Sequence, residues 1–351
     1  MSELRKNVEA ALEEIRPMLR ADGGNIELVR IEGDVVYVRL LGACHGCPSA
    51  TATMSQGVEK TIRKHCPEVA EVRLADEPAE AEAPPAPARN PFEEREPIAG
   101  VKTIIAVASG KGGVGKTTVA INLALALEQL GLKVGLMDAD IYGPNVPGML
   151  GVDKRPDVKG KRILPARMHN IFVMSIAFFV DPNEAVIWRG PMVMRAVQQF
   201  LRDVEWGVLD VLVVDLPPGT GDAQLTMAME VPIDGAIIVT TPSAVALDDV
   251  RRGMRMFEQV KVPVYGVVEN MSYFSCPHCG RETDVFSSGG GKLMAKKFGV
   301  PLLAEIPLDR KLRAAGDEGQ PMIITEPDAP QSQKFIELAK KIVELAKDKL
   351  G

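Results

Sequence analysis

Two kinds of short motif in this chain could do chemistry: a glycine-rich loop and two pairs of cysteines. Residues 109–118 read SGKGGVGKTT and match the phosphate-binding pattern G-x-x-x-x-G-K-[ST]. Glycines let backbone N–H groups and a helix N-terminus face phosphate oxygens, while the lysine supplies charge and the threonine hydroxyl ligates Mg²⁺. The expected nucleotide contacts are Gly110, Lys111, Gly112, Gly113, Val114, Gly115, Lys116, Thr117 and Thr118.

Carboxylates follow two other apolar runs of the sequence. Asp215 ends VLVVD, and Asp138 and Asp140 lie in LMDAD. Ligands bind at the carboxyl ends of the strands of open α/β sheets, so these acids are expected to face the phosphates. We expect Thr117, Asp138 and Asp215 to hold Mg²⁺, and Asp140 to orient the attacking water. The alternative for Asp138 and Asp140 is a solvated or capping pair.

The elements that must position the loop and the acids begin near residue 100. Apolar runs alternate there with stretches long enough for helices: TIIAVAS, LKVGLMD, IFVMSI, VLVVD, GAIIVT and PVYGVVE. Such runs predict an α/β fold with a mostly parallel sheet that is covered on both faces. The phosphate loop stands between the first strand and a helical run, which is the context that a phosphate-binding loop requires.

The first 76 residues have another pattern. Leu4, Val8, Leu12, Ile15 and Leu19 recur at helical spacing. Two strand-like runs, a second helix and a last strand follow, so we expect a small α+β module of order α-β-β-α-β. A stretch rich in Pro, Ala and Glu then predicts an extended linker. The expected segments are the small domain 1–76, the linker 77–99 and the large domain 100–351.

Four of the five cysteines form C-x-x-C pairs, Cys44 with Cys47 and Cys276 with Cys279. Each pair supplies two thiolates, whereas tetrahedral zinc sites and cubane clusters take four. Two copies of one pair that meet on a twofold axis would complete such a site. For Cys276 and Cys279, half of a zinc ribbon and a redox disulfide are the alternatives to an iron–sulfur cluster shared across a dimer. Cys66 stands alone and is expected in the core at a helix end.

The segments SGKGGVGKTT, LMDAD, VVDLPPGTGD and GVVENMS together resemble the deviant Walker A ATPases, a group that includes MinD, ParA and the nitrogenase iron protein. The resemblance implies ATP hydrolysis by a homodimer in which Lys111 reaches the nucleotide of the other subunit. Lys116 is expected to contact the phosphates of its own subunit. Asn270 is implied to read the adenine.

Residues 100–351 resemble the Mrp/ApbC branch of this group, which are iron–sulfur cluster carriers. Residues 1–76, with GACHGCPSATATM, resemble an Nfu scaffold domain, which is similar to the C-terminal part of NifU. The two resemblances imply a carrier that binds a [4Fe–4S] cluster and passes it to apo iron–sulfur proteins. ATP, Mg²⁺ and the cluster are its implied cofactors, and an upstream cluster-assembly scaffold is its implied donor. Mrp-type carriers commonly have a different N-terminal domain or none, which leaves open how the two cysteine pairs divide the work.

Composition and the chain ends favour some partners over others. A net charge of -6 without a long basic run gives no sign of nucleic-acid binding. No signal peptide and no apolar run near ~20 residues is found, so we expect a cytoplasmic protein.

A zinc-stabilised scaffold and a positional switch like MinD or ParA are the alternatives to a cluster carrier. The switch finds support in an apolar stripe, Phe335, Leu338, Ile342 and Leu345, that could lie on a membrane. Interleaved acidic residues favour packing of this stripe on the protein's own sheet.

Overall fold

The chain forms two compact units, Met1–Ala88 and Arg89–Gly351. Each unit has its own clusters of buried apolar side chains. The computed structural model describes residues 3–21, 24–42, 58–74, 96–160, 162–180, 190–219, 224–225, 228–229 and 231–350.

The small unit packs two helices on a three-stranded sheet. Its elements are α1 (Glu3–Ala21), β1 (Gly24–Glu32), β2 (Val35–Gly42), α2 (Glu59–His65) and β3 (Glu71–Leu74). Strand β2 lies in the middle, antiparallel to β1 and parallel to β3. This order confirms the predicted α-β-β-α-β module.

The helical stripe predicted for α1 provides much of the small unit's core. Val8, Leu12, Ile15 and Leu19 are buried, and Leu4 packs against them partly exposed. Cys66 caps α2 and is fully buried in the same cluster, as the sequence predicts. Burial raises the pKa of its thiol, which keeps this cysteine in the unreactive neutral form.

The large unit is built on a sheet of nine described strands. They are β4 (Val101–Ser109), β5 (Val134–Asp138), β8 (Ala166–Met168), β9 (Ile171–Ser175), β10 (Leu209–Asp215), β11 (Gly235–Thr240), β12 (Val264–Ser275), β13 (Glu282–Thr283) and β14 (Leu302–Leu308), while β6 (Asp157–Lys159) and β7 (Arg162–Leu164) form a separate hairpin. Their order in the sheet is β13-β12-β11-β4-β10-β5-β9-β8, with β14 paired to β12. All of the strand pairs are parallel except β12 with β13 and β8 with β9.

Helices cover both faces of this sheet. They are α3 (Lys116–Gln129), α4 (Val146–Leu150), α5 (Gly190–Arg202), α6 (Ala244–Gln259), α7 (Gly290–Phe298), α8 (Arg310–Asp317), α9 (Met322–Thr325), α10 (Pro330–Leu345) and α11 (Lys347–Leu350). Strand β4 shows the two-sided burial: Ile104 and Ala106 belong to one buried cluster, while Ile105 and Val107 belong to the other. Alternate residues of a strand point to opposite faces, so the sheet has a core on each side. The predicted doubly covered sheet is confirmed.

The structure differs from the sequence-based strands at one place that matters for the site. The run PVYGVVE predicts a strand that ends at residue 269, whereas β12 continues to Ser275, directly before Cys276. Strand β14, which the sequence pattern missed, pairs with β12 along this extension, at Asn270 and Phe274. The extension is therefore held by pairing with a strand that is distant in sequence.

The C-terminal helix α10 packs against α3 and β14. Phe335, Leu338 and Ile342 are buried in the core, while Leu345 is 44% exposed. The apolar stripe is thus used inside the protein, which removes the feature that favoured a membrane-bound switch. Within the described ranges, none of the helices combines the length and the hydropathy that crossing a bilayer requires.

Candidate functional site

The phosphate loop lies between β4 and α3, at the carboxyl end of the sheet. Gly113 and Gly115 have φ values of 78° and 81°, in the left-handed region that favours glycine. A Cβ atom on Gly115 would lie 2.1 Å from Asn270 Nδ2, and one on Gly110 would lie 2.4 Å from atoms of Asp249. Close packing therefore requires glycine at both positions. The loop leads directly into the N-terminus of α3, as a phosphate-binding loop must.

Lys116 is buried among the predicted acids. Its Nζ donates to Asp215 Oδ1 at 2.7 Å and lies 3.7 Å from Asp140 Oδ2. The Thr117 hydroxyl donates to Asp215 Oδ2 at 2.7 Å. The structure thus brings together the lysine and hydroxyl that the sequence assigned to phosphate and Mg²⁺, the carboxylate of Asp215 assigned to Mg²⁺, and that of Asp140 assigned to the attacking water.

Asp138 is the third of these acids and is fully buried. It is the cross-strand partner of Asp215, since β5 and β10 are parallel neighbours. Its Oδ2 accepts from Ser175 Oγ at 2.9 Å and from Val146 N at 3.3 Å, and its Oδ1 accepts from Asp140 N at 3.2 Å. Burial, and secondly the charge of Asp215, raise the pKa of Asp138 to about 7.

Burial also raises the pKa values of Asp140 and Asp215, although the Lys116 ammonium opposes the shift at both. A hard divalent cation would stabilise such buried carboxyl groups in their charged form. The residues present therefore fit Mg²⁺, with Thr117, Asp138 and Asp215 as the candidates for holding it.

Ser175 is a site residue that the sequence reasoning missed. It ends β9, is fully buried and pairs in register with Asp138. Its Oγ accepts from Ala177 N at 3.1 Å while it donates to Asp138. These two hydrogen bonds fix the orientation of the hydroxyl toward the carboxylate. The available signal was a serine at the carboxyl end of IFVMS, a predicted strand of the same parallel sheet.

Asn270 lies on the extension of β12 and contacts the phosphate loop. It is buried, and its Nδ2 donates to Val114 O at 2.9 Å. A cavity of about 460 Å³ opens beside it and is lined by Gly115, Thr118, Asn270, Met271, Phe274 and Leu308, among others. Its volume lies in the range of ligand pockets and it adjoins the phosphate loop, so this cavity is where a nucleoside would fit.

Lys111 behaves differently from Lys116. It is half-buried, and no carboxylate of the described residues forms an ion pair with it. The Ser109 hydroxyl donates to the backbone carbonyl of Lys111 at 3.0 Å, which fixes the loop backbone. The ammonium group of Lys111 can therefore contact a group that lies outside the described residues.

The second cysteine pair lies at the end of β12, on a hairpin. Cys276 N donates to Arg281 O at 3.0 Å, and Gly280 N donates to Cys276 O at 2.9 Å. Cys276 is half-buried, Cys279 is exposed and both are free thiols. Backbone N–H groups of His278 and Cys279 lower the pKa of Cys276, which favours the thiolate that binds metals. Within the described residues, no three His, Cys, Asp or Glu side chains are grouped to hold a metal ion. Cys44 and Cys47 lie outside the described residues.

Comparison with known families assigns both units. Residues 100–343 match the ParA family, described as NUBPL iron-transfer P-loop NTPase, and residues 8–73 match the NifU-like domain. An iron–sulfur cluster carrier protein of Synechocystis sp. is 45% identical over 320 residues, which cover 90% of this chain and 88% of that protein.

Solved structures resemble the large unit. A nucleotide-binding protein of Archaeoglobus fulgidus in complex with ADP is 38% identical, with a TM-score of 0.60, and the match covers 70% of this chain and 95% of that one. The cell division ATPase MinD of Pyrococcus furiosus is 28% identical, with a TM-score of 0.52, and the match covers 70% of this chain and all of that one. These likenesses agree with the nucleotide site and the sheet described above.

Proposed function

Because the chain belongs to the NUBPL iron-transfer P-loop NTPase family, we propose that it is an ATP-hydrolysing carrier that binds a [4Fe–4S] cluster and transfers it to apo iron–sulfur proteins. One observation supports this function above the others. Strand β12 carries Asn270, which contacts the phosphate loop, and ends directly before Cys276. Strand β12 therefore connects the proposed nucleotide site with the second C-x-x-C pair.

The nucleotide half of the proposal uses the contacts around Lys116. In the structure the ammonium group of Lys116 forms an ion pair with the carboxylate of Asp215. On binding ATP, Lys116 would exchange this carboxylate for the β- and γ-phosphates, and Thr117 with Asp138 and Asp215 would hold Mg²⁺, which neutralises developing charge on the phosphates. Asp140, at the edge of the site, would then orient the attacking water.

Lys111 has a separate role in this proposal. Its ammonium group is unengaged by described residues, and a cation supplied from a second subunit can stabilise the transition state of phosphoryl transfer. We assign it to the nucleotide of the other copy in a homodimer. The base would enter the cavity beside Asn270, whose side-chain oxygen remains available to accept from the exocyclic amine of adenine.

The cluster is the cargo of the reaction. Cys276 and Cys279 supply two of the four thiolates that a cubane takes, and their hairpin is open to recipients. The NifU-like domain, proposed here as residues 1–76 and followed by the linker 77–99, brings Cys44 and Cys47 as a second pair. An upstream scaffold would load either pair.

An anaerobic reconstitution with iron and sulfide tests the proposal. The wild-type chain should bind four iron and four sulfide per pair of chains at each cysteine site and show thiolate-to-iron absorption. Replacing Cys276 and Cys279 with Ser should remove the cluster of the large unit, whereas the same replacement of Cys44 and Cys47 serves as the matched control. Retention of zinc without iron or sulfide would instead favour the zinc-stabilised scaffold. Cluster binding without ATP hydrolysis would contradict the coupling.

A further inference from the structure

Strand β12 is interrupted between the nucleoside cavity and the second cysteine pair. Its pairing with β14 stops at Asn270 and resumes at Phe274, although β14 advances there by only two residues, across Pro307. A proline has no N–H group to donate, which lets the facing strand leave the ladder at this point. Residues 271–273 therefore bulge out of the sheet, and we refer to them as the bulge.

The first residue of the bulge has a strained backbone. Met271 has a φ of 56°, in the left-handed region that is unfavourable for residues with a Cβ atom. Such a residue keeps this conformation only while its surroundings hold it there. The next residue, Ser272, is buried, and its hydroxyl donates to Glu269 Oε1 at 2.6 Å. The bulge is therefore a strained bend that a side-chain hydrogen bond ties back to the strand before it.

The chain that follows the bulge is a hairpin with its own hydrogen bonds. The last two residues of β12 pair with β13, and the N–H of Cys276 donates to Arg281 O at 3.0 Å. We refer to residues 274–283 as the cysteine hairpin, because they include both Cys276 and Cys279. Since these hydrogen bonds hold the segment together, a change at the bulge would move both thiols with it.

The nucleoside cavity extends across the bulge. Its lining includes Asn270 before the bulge, Met271 within it and Phe274 after it. Phe274 is half-buried, so part of its ring is free to pack against a ligand in the cavity. A base bound there would contact the chain on both sides of the bend at once. It would therefore resist a change in the angle between the strand and the cysteine hairpin.

We propose that a nucleotide base packs across this bend, against Met271 and Phe274, and thereby fixes the position of the cysteine hairpin. This inference rests on the proposed nucleotide binding and adds the route by which that binding acts on Cys276 and Cys279. Without a base, the strain at Met271 favours opening of the bend. With a base, the packing of Phe274 opposes this opening. Both are positioning residues, which act on the thiols through the hairpin.

Hydrogen–deuterium exchange of the full chain, reduced and without a cluster, tests this role. Peptides that cover residues 276–283 report opening of the hairpin, and none of these residues lines the cavity. Exchange is measured with and without saturating Mg²⁺-ADP, and calorimetry gives the ADP affinity of each protein. Phe274→Ala is compared with Met149→Ala as a matched control, since Met149 lines the same cavity but lies on α4.

Mg²⁺-ADP should slow the exchange of these peptides about tenfold in the wild type, because opening then requires loss of the packing on the base. In Phe274→Ala the rates with and without ADP should agree within about twofold. Met149→Ala should bind ADP more weakly but keep the wild-type protection at saturation. Phe274→Leu, which retains apolar bulk, should restore most of the protection. Met271→Gly should slow exchange in the absence of ADP, because glycine adopts the left-handed conformation without strain.

The outcomes separate this inference from the proposed function. Wild-type protein that binds ADP without any change in hairpin exchange would overturn the inference alone. The same holds if Phe274→Ala keeps full protection, if Met149→Ala loses as much as Phe274→Ala, or if Met271→Gly exchanges faster. A chain that binds no ADP would overturn the nucleotide half of the proposed function as well. Exchange at α10 checks that Phe274→Ala is folded, and Phe274→Leu with Met271→Gly decides the matter if it is not.

Discussion

Asp138→Asn should change how the stability of the nucleotide-free protein depends on pH. The pKa of Asp138 rises from 3.8 to about 7 in the folded protein, mainly through burial. Between these values the folded state binds more protons than the unfolded state, so stability falls as pH rises. Each tenfold change in the ionisation equilibrium is worth about 1.4 kcal/mol, so ionised Asp138 costs about 4 kcal/mol in total. About a third of this loss falls between pH 6 and pH 8, on either side of the raised pKa.

Thermal unfolding at pH 6 and pH 8, without nucleotide or metal, measures this cost. For a unit of this size Asp138 should contribute about 3–6 °C to the fall of the wild-type Tm over that interval, and the fall should be smaller by that amount in Asp138→Asn. The amide removes the charge but also loses one of three accepted hydrogen bonds, so the slope with pH, and not the absolute Tm, is the quantity to compare. Mg²⁺ with nucleotide should abolish the wild-type slope, because a bound cation favours the ionised carboxylate. Equal slopes in the two proteins would refute the reasoning.

Other substitutions separate the roles within the nucleotide site. Lys116→Ala should abolish ATP binding in calorimetry, whereas Lys111→Ala should retain it. Lys111→Ala should instead lower the hydrolysis rate at least 1,000-fold, as loss of a cation supplied in trans does. Equal loss of ATP affinity in both variants would contradict the assignment of Lys111 to the other subunit. Ser175→Ala should raise the Mg²⁺ concentration for half-maximal hydrolysis about tenfold, because the substitution removes the hydrogen bond that orients Asp138. Ser175→Thr, which keeps a hydroxyl, should partly restore the wild-type value. An unchanged Mg²⁺ dependence in Ser175→Ala would exclude this role of Ser175. Gly115→Ala should weaken ATP binding at least tenfold, since its Cβ would lie 2.1 Å from Asn270 Nδ2, and retained affinity would show that the loop adapts.

The features that the sequence predicts well are those in which neighbouring residues decide the outcome. The α1 stripe, the doubly covered sheet and the phosphate loop between β4 and α3 all follow from local periodicity or from a motif with its flanking elements. The acids are predicted to lie together because the strand ends of a parallel sheet meet at one edge. Each of these inferences needs only the chain order of the strands.

The features that the sequence pattern missed depend on which strands are neighbours. Ser175 reaches Asp138 only because β9 pairs with β5 in one particular register. The extension of β12 is fixed by β14, about 30 residues later in the chain, and no periodicity near residue 270 shows that pairing. Contacts of this kind become visible only when the sheet order is known.

Glu269 is a buried carboxylate that joins β12 to a helix later in the chain. It is fully buried on β12 and accepts from Ser272 Oγ at 2.6 Å and from Gly291 N, in the first turn of α7. Because α7 begins just after residues 276–289, the segment that carries Cys276 and Cys279, Glu269 fixes the far end of this segment to the strand that precedes its near end. Glu269→Ala should lower the free energy of unfolding by about 2–4 kcal/mol, because a buried N–H and a hydroxyl lose their acceptor.

Glu269→Gln is the matched control for that substitution. The amide oxygen can accept from Gly291 N while its nitrogen donates to Ser272 Oγ, so both hydrogen bonds persist and the stability should change by less than about 1 kcal/mol. Urea unfolding of the three proteins measures the difference. Equal destabilisation by Ala and Gln would show that the negative charge at the α7 N-terminus, not the hydrogen bonds, holds the helix in place. If the hydrogen bonds do hold it, iron release from the loaded protein should be faster in Glu269→Ala than in Glu269→Gln, because the anchored end of residues 276–289 is then free to move.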